Sequence, residues 1–111
     1  MHRIGRGMLT SGTECTGKLQ LVDSVQDVLA LLKTDVSNTI IFTRAASATT
    51  ITPLFARIKG IVCTAGGATS HLAIVAREFD IPCVMGLELE NGSALDQVQV
   101  RITSEGEVLS D

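Results

Sequence analysis

Two observations on the sequence predict a layered α/β domain. Strand and helix patterns alternate through the middle of the chain, and strands with one wet face flank them at both ends. The middle strand patterns are short, apolar and rich in β-branched residues, which is typical of parallel strands buried on both faces. Because the chain has 111 residues, about the usual size of one domain, we expect residues 1–111 to form a single domain.

The composition excludes several classes of protein. Apolar residues make up 45% of the chain and charged residues 19%, which suffices for a core and is unlike a disordered chain. The net charge is −3, and the chain has only three aromatic residues and no Lys/Arg cluster, so we expect no nucleic-acid partner. No apolar run approaches the roughly 20 residues that span a bilayer, and no signal peptide is recognisable. We therefore expect a cytoplasmic protein without a membrane partner.

The predicted strands follow one another along the chain. Residues 16–22 alternate between apolar and polar, the period of a strand with one wet face, and a glycine-rich segment precedes them. The runs of the predicted parallel core are residues 38–43, 60–64 and 81–85. Residues 96–109 alternate again around the turn sequence Ser-Glu-Gly, which predicts an antiparallel ribbon at the end of the sheet.

Two short helices are predicted between these strands. The first has Asp23 or Ser24 as its cap, and its apolar residues recur at helical spacing. Those apolar residues are Val25, Val28, Leu29 and Leu32. The second has Thr52 as its cap, Pro53 at its first position and Gly60 as its stop.

A third predicted helix begins beside a histidine. Its apolar stripe consists of Leu72, Val75, Ala76 and Phe79, and residues 80–82 end it after about three turns. Thr69 or Ser70 is the natural cap, which places His71 in the first turn, close to unpaired N–H groups and the positive end of the helix dipole. A positively charged ring is disfavoured there, so a ring nitrogen keeps its lone pair as a nucleophile.

A phosphoryl group attached to His71 would find several partners. They are the first-turn amides, the backbone of Gly66 and Gly67, and the hydroxyl groups of Thr69 and Ser70. This is the arrangement by which helix N-termini bind phosphate. The residues alone leave a second interpretation open, because a lone histidine near a helix start commonly caps or packs.

The segment GGATSHLAIVAREFDIPCVMG, residues 66–86, resembles the phosphohistidine segment of the phosphoenolpyruvate (PEP)-utilising enzymes. These are PEP synthase, pyruvate phosphate dikinase, rifampin phosphotransferase and enzyme I of the sugar phosphotransferase system. The preceding segment, residues 52–62, is similar to the one that leads into that motif. The resemblance extends from about Gly5 to Val108 and includes the glycine-rich amino-terminal strand and the carboxy-terminal ribbon. It implies a three-layer β/β/α swivelling phosphohistidine domain.

The resemblance also implies a function and a site. His71 would be the phosphorylated nucleophile, with the phosphoryl group bound by Gly66, Gly67, Thr69 and Ser70. It would pass phosphate between an ATP-grasp nucleotide domain and a PEP/pyruvate-binding domain, in trans or in a parent chain. Those partners would hold Mg²⁺ with ATP or PEP, and this domain would bind no cofactor. We therefore expect a component of a phosphotransferase, not a complete enzyme, and Met1 with the lack of linkers favours a free-standing carrier.

Two departures from the family pattern support an alternative. Leu72 follows the histidine where a small residue is usual, and residues 48–52 replace acidic residues of the preceding loop. A non-catalytic interaction or regulatory module that kept the fold therefore stays open.

The remaining reactive side chains are interpreted as structural. Cys15, Cys63 and Cys83 match neither a metal site nor a disulfide framework, so we expect reduced core residues and no metal site. A Cys/His hydrolase is disfavoured because Cys63 and Cys83 lie inside apolar strand runs. Arg77 lies on a different helix face from His71 and is interpreted as a surface or docking residue.

Overall fold

The computed structural model describes residues 2–22, 25–44, 54–67, 69–89 and 99–110. Over these residues the elements are β1 (His2–Ser11), β2 (Cys15–Leu21), α1 (Val25–Leu32), β3 (Thr39–Thr43), β4 (Gly60–Cys63), α2 (His71–Glu78), β5 (Cys83–Leu89), β6 (Gln99–Ile102) and β7 (Glu107–Ser110). The seven strands form one closed barrel in the order β1-β5-β4-β3-β2-β6-β7. The α/β class predicted from the sequence is therefore confirmed. Neither helix in the described part is long and apolar enough to cross a membrane.

Four neighbouring strands of the barrel are parallel. The strands β2, β3, β4 and β5 pair in that order, with Leu19 opposite Ile40 and Ile41 opposite Ile61. All four residues of β4 and the last four of β3 are buried, as expected for strands covered on both faces. The predicted parallel core is thus confirmed.

The other three strands close the barrel with antiparallel pairing. The ends of the chain meet where β1 pairs with β7, and β1 also pairs with β5. The ribbon predicted near the carboxyl end is confirmed as β6 and β7, joined by a turn in which Gly106 has a φ of +83°. This left-handed conformation favours glycine.

The apolar residues form one cluster inside the barrel and one outside it. Successive side chains of a strand point to opposite faces, so β3 contributes Ile40 and Phe42 to the inner cluster and Ile41 to the outer one. Every strand contributes at least one side chain to the inner cluster. The outer cluster joins the barrel to α1, α2 and the segment before β4.

The buried side chains of α1 differ from the predicted ones at one position. Val28 is buried, and Leu31 and Leu32 pack partly against the outer cluster, whereas Leu29 is 52% exposed. The predicted stripe was therefore wrong at Leu29, because the covered positions among the described side chains of α1 are Val28, Leu31 and Leu32, an i, i+3, i+4 pattern. The side chain of Val25 lies outside the description. Asp23 and Ser24, the predicted caps, lie outside the described residues.

The prediction of a second helix is wrong over residues 54–60, the part of it that the structure describes. Residues 54–59 form a single turn, in which the N–H of Ile58 donates to the carbonyl of Leu54 at 3.1 Å. The N–H of Lys59 already donates to the carbonyl of Thr39 at 2.8 Å, and Gly60 begins β4 instead of ending a helix. Pairing with β3 therefore overrides the local helix signal. The predicted cap and first position, Thr52 and Pro53, lie outside the described residues.

The helix α2 is shorter than predicted. Its eight residues make about two turns. Asp80 has a φ of +56°, and its N–H donates to the carbonyl of Arg77 at 3.2 Å. The N–H of Ile81 donates to the carbonyl of Ala76 at 3.0 Å. This is the Schellman pattern, in which a residue with left-handed backbone ends a helix. The left-handed residue, Asp80, ends α2 ahead of Pro82.

Candidate functional site

The candidate site lies at the carboxyl edge of the parallel strands. The chain leaves β4 at Cys63 and reaches α2 through residues 64–70. At that edge the N–H of Thr64 donates to the carbonyl of Thr43, the last residue of β3, at 3.3 Å. The loop before His71 therefore begins at the carboxyl end of the parallel strands β3 and β4.

His71 is the first residue of α2 and its side chain is exposed. Ser70 is the N-cap, with an extended backbone (φ −71°, ψ 156°), and its carbonyl accepts the N–H of Ile74 at 3.1 Å. The predicted position of His71 in the first turn is therefore confirmed. An exposed imidazole at a helix start lies close to the positive end of the helix dipole.

The hydroxyl group of Ser70 closes the loop instead of capping the helix. It donates to the carbonyl of Gly67 at 2.7 Å, and the N–H of Ser70 donates to the same carbonyl at 3.0 Å. The side chain makes no capping hydrogen bond. A hydroxyl has one proton, so Ser70 would have to rotate away from Gly67 before donating to a phosphoryl oxygen.

The two glycines before the helix differ in what the backbone requires of them. Gly66 has a φ of +78°, which favours glycine. Gly67 has no such requirement, and a Cβ built on it would meet no atom within 4 Å. The space beside Gly67 is therefore open, and Thr69 on the other side of the turn is exposed. The structure places the five predicted site residues on one short, accessible stretch of backbone.

Leu72 points into the core and not into the site. Its side chain is 0% exposed in the outer cluster, together with Ala73 and Ala76, and α2 packs against β1 and β5. The two alanines let the helix approach the barrel closely, while Leu72 fills the space beside them. The departure from the family pattern at this position is therefore accommodated by packing.

Two cysteines near the site are inert. Cys63 and Cys83 are both 0% exposed, and burial raises the pKa of each thiol, that of Cys83 to about 11. Burial also raises the pKa of the half-buried Cys15 to about 11. All three cysteines are free, and Cys63 and Cys83 lie in the core as expected, where a raised pKa favours the protonated thiol. Nothing in their chemistry offers His71 a thiolate partner.

Arg77 lies away from the first turn of α2, where His71 is. Arg77 is exposed in the last turn of α2, as predicted for a helix-surface residue. Among the residues that the structure describes, no group of three or more His, Cys, Asp or Glu side chains could hold a metal ion.

One residue beside the loop had no role in the sequence analysis. Gly86 lies within β5, and a Cβ built on it would be 3.3 Å from the carbonyl oxygen of Gly66. The available signal was a glycine inside an apolar strand run, which commonly marks a bulge or a close approach of two backbone segments.

Comparison with known sequences relates the chain to enzymes that transfer or use phosphoryl groups. The family described as "PEP-utilising enzyme, mobile domain" matches residues 35–107. Rifampicin phosphotransferase of Bacillus cereus is 41% identical over 51 residues, which are 46% of this chain and 6% of that protein. A probable phosphoenolpyruvate synthase of Methanothermobacter thermautotrophicus is 30% identical over 81 residues, 73% of this chain and 11% of that protein. The chain thus matches only a small part of the length of these relatives.

Comparison with solved structures supports the fold. Aconitase X of Thermococcus kodakaraensis, in its holo-form, superposes with a TM-score of 0.63 over 96% of this chain and 97% of that one, at 16% identity. This likeness concerns the fold alone. The N-terminal domain of Enzyme 1-Nitrogen has a TM-score of 0.53 and 29% identity, covering 68% of this chain and 32% of that chain.

Proposed function

The chain belongs to the family of PEP-utilising enzyme mobile domains, and on that basis we propose that it is a phosphoryl carrier in which His71 is transiently phosphorylated. The observation that supports this most directly is the exposed imidazole at the first position of α2, beside an open glycine loop. A helix start stabilises negative charge. The start of α2 therefore favours the negative charge of a phosphoryl group on His71.

The proposed chemistry is two successive displacements at phosphorus, in which one ring nitrogen of His71 is first the nucleophile and then the leaving group. Its lone pair forms a bond to the donor's phosphorus while the bond from phosphorus to the leaving oxygen breaks, and that oxygen keeps the electron pair. The second ring nitrogen retains its proton. In the next step an acceptor oxygen attacks the phosphorus, the N–P bond breaks, and the lone pair returns to the ring.

The residues around His71 bind the phosphoryl oxygens in this proposal. The N–H groups of the first helical turn and the backbone of Gly66 and Gly67 form the cradle. The exposed hydroxyl of Thr69 donates directly, whereas Ser70 donates after releasing the carbonyl of Gly67. No cofactor is assigned to this chain.

We place the donor and acceptor sites on partner domains. The family is a domain of multidomain PEP-utilising enzymes, and the chain matches 6% of the rifampicin phosphotransferase and 11% of the probable PEP synthase. The proposed partners are an ATP-grasp nucleotide domain and a PEP/pyruvate-type domain, in trans or in a parent chain in the cytoplasm, with Mg²⁺ and ATP or PEP bound there. Travel between them requires a rigid carrier, and we propose that the barrel and helices form the three-layer β/β/α swivelling domain of the family.

The alternative of a non-catalytic interaction module has lost part of its support. Leu72 packs in the core and is no part of the exposed surface around His71. The other supporting segment, residues 48–52, lies outside the described residues. We therefore retain the module only as an outcome of the test below.

The test is the intact mass of the purified chain after incubation with PEP, or with ATP and Mg²⁺, in an extract of its source cells, which supplies the partners. The expected result is the gain of one phosphoryl group that is stable in alkali and lost in acid. His71→Ala is expected to show no gain.

Ile74→Ala is the matched control, because Ile74 is exposed on the same helix one turn further on. It is expected to be phosphorylated like the unmodified chain. If the unmodified chain gains no phosphoryl group from either donor while a complete synthase in the same extract is phosphorylated, the carrier function is wrong and the interaction module replaces it.

A further inference from the structure

The pairing of β1 with β5 contains a bulge next to the candidate site. The flanking pairs are Arg6 with Glu88 and Met8 with Met85. Between them one residue of β1, Gly7, faces two residues of β5, Gly86 and Leu87. Gly86 has a φ of +62°. This is the bulge type that requires a left-handed glycine at its first position, and such bulges are common next to active sites.

The bulge lies beside the loop that leads to His71. The strand β5 continues to Leu89, whereas its neighbour β4 ends at Cys63. Because Val62 pairs with Val84, Gly86 is level with Thr64, the first residue of that loop. Gly86 thus lies on the part of β5 that extends past the end of β4.

The missing side chain of Gly86 allows the loop to approach the strand. A Cβ at position 86 would lie 3.3 Å from the carbonyl oxygen of Gly66, a distance at which Gly66 must move by a few tenths of an ångström. The bulge partner Gly7 differs, because a Cβ there would lie 2.7 Å from the carbonyl oxygen of Met85, inside the barrel wall. The missing side chain of Gly7 therefore allows β1 and β5 to pack together, whereas that of Gly86 leaves room for the loop before His71.

We propose that Gly86 is a positioning residue, because the absence of a Cβ there lets the backbone of Gly66 and Gly67 take its place beside His71; this inference rests on the proposed function. A Cβ at position 86 would crowd the carbonyl oxygen of Gly66, and the next residue, Gly67, accepts two hydrogen bonds from Ser70, at 2.7 and 3.0 Å. A displacement of Gly66 is thereby passed to the start of α2. Phosphoryl transfer depends steeply on the position of the groups around the nucleophile.

Two substitutions separate positioning from stability. Gly86→Ala and Gly86→Asn both add a Cβ against Gly66, but asparagine tolerates the left-handed backbone better than alanine. Gly86→Asn is therefore expected to keep more of the thermal stability. Both variants are expected to slow phosphorylation of His71 by about tenfold, since misplacement by 1 Å can cost about 100-fold. Ile102→Val, inside the barrel on β6, is the control that lowers stability without touching the loop.

Two readouts are measured at a temperature where all variants are folded. The first is the backbone amide NMR signals of residues 66–71 in the free protein, which are expected to shift in both Gly86 variants and not in Ile102→Val. The second is the rate of phosphorylation of His71 with the donor identified above.

The outcomes distinguish the two proposals. If the unmodified chain is never phosphorylated, the proposed function fails, and the NMR signals still decide whether Gly86 places the loop. If the loop signals stay unchanged in both variants, the positioning role is overturned. It is also overturned if the unmodified chain is phosphorylated and the loss of phosphorylation rate in the variants only follows their loss of stability. In that case Gly86→Asn would recover the rate that Gly86→Ala loses, and Ile102→Val would slow phosphorylation as much as a Gly86 variant of equal stability.

Discussion

Replacing Leu72 by alanine tests whether this residue belongs to the core or to the site. Leu72 is fully buried in the outer cluster. The substitution removes three carbon atoms, worth about 0.8 kcal/mol each in transfer free energy, and the cavity left behind brings the expected loss to about 3–5 kcal/mol. At about 2.1 cal/mol/K of unfolding entropy per residue, the 111 residues give a fall in Tm of about 4.3 °C for each kcal/mol. The expected fall is therefore about 13 to 21 °C.

The assay combines urea unfolding, followed by circular dichroism, with calorimetric measurement of Tm. Ile74→Ala is the control on the same helix, since Ile74 is 42% exposed and its truncation is expected to change stability by no more than about 0.5 kcal/mol. Below its Tm, Leu72→Ala is expected to be phosphorylated at the rate of the unmodified chain, because the side chain of Leu72 lies in the core, away from the exposed His71.

Two results would refute this reasoning. A loss of stability no larger than that of Ile74→Ala would mean that Leu72 does not pack as the structure shows. A large loss of stability together with a changed phosphorylation rate would mean that the residue after the histidine acts on the site as well as on the core.

Two further predictions concern stability. The thiol of Cys83 ordinarily has a pKa of 9.0 and in the fold one of about 11, so between these values the folded state binds the extra proton. The contribution of this thiol to the free energy of unfolding is therefore fully present below pH 9.0 and is lost as the pH rises towards 11, by up to about 1.4 kcal/mol per pH unit. Urea unfolding measured across this pH range should show that the free energy of unfolding falls less steeply with pH in Cys83→Ala than in the unmodified chain. Gly106→Ala is expected to cost more than the roughly 1–2 kcal/mol of left-handed strain, because its Cβ would overlap the carbonyl oxygen of Gly7. Equal unfolding free energies for Gly106→Ala and Gly67→Ala, where the Cβ meets no atom, would contradict this.

Much of the site and part of the fold followed from local sequence patterns. The first-turn position of His71 depends only on the cap and on the apolar spacing that follows it, which are properties of neighbouring residues. The parallel core followed from short β-branched runs, and the family resemblance found in residues 66–86 is confirmed by the match over residues 35–107.

Other features depended on contacts between distant residues. The segment 54–59 has the local pattern of a helix, yet it forms a single turn, because the N–H of Lys59 bonds to Thr39 and β4 begins at Gly60. The length of α2 was overestimated because the left-handed Asp80 ends it before Pro82.

The sequence by itself predicted the parts of the candidate site: His71, the glycine loop before it and the helix that follows. Only the tertiary structure decided how the barrel closes and how closely that loop approaches β5. Closure pairs His2 with Ser110, and the approach leaves a Cβ at position 86 only 3.3 Å from the carbonyl oxygen of Gly66. Strand register and the close approach of two backbone segments are set by residues far apart in the chain, so no local periodicity contains them.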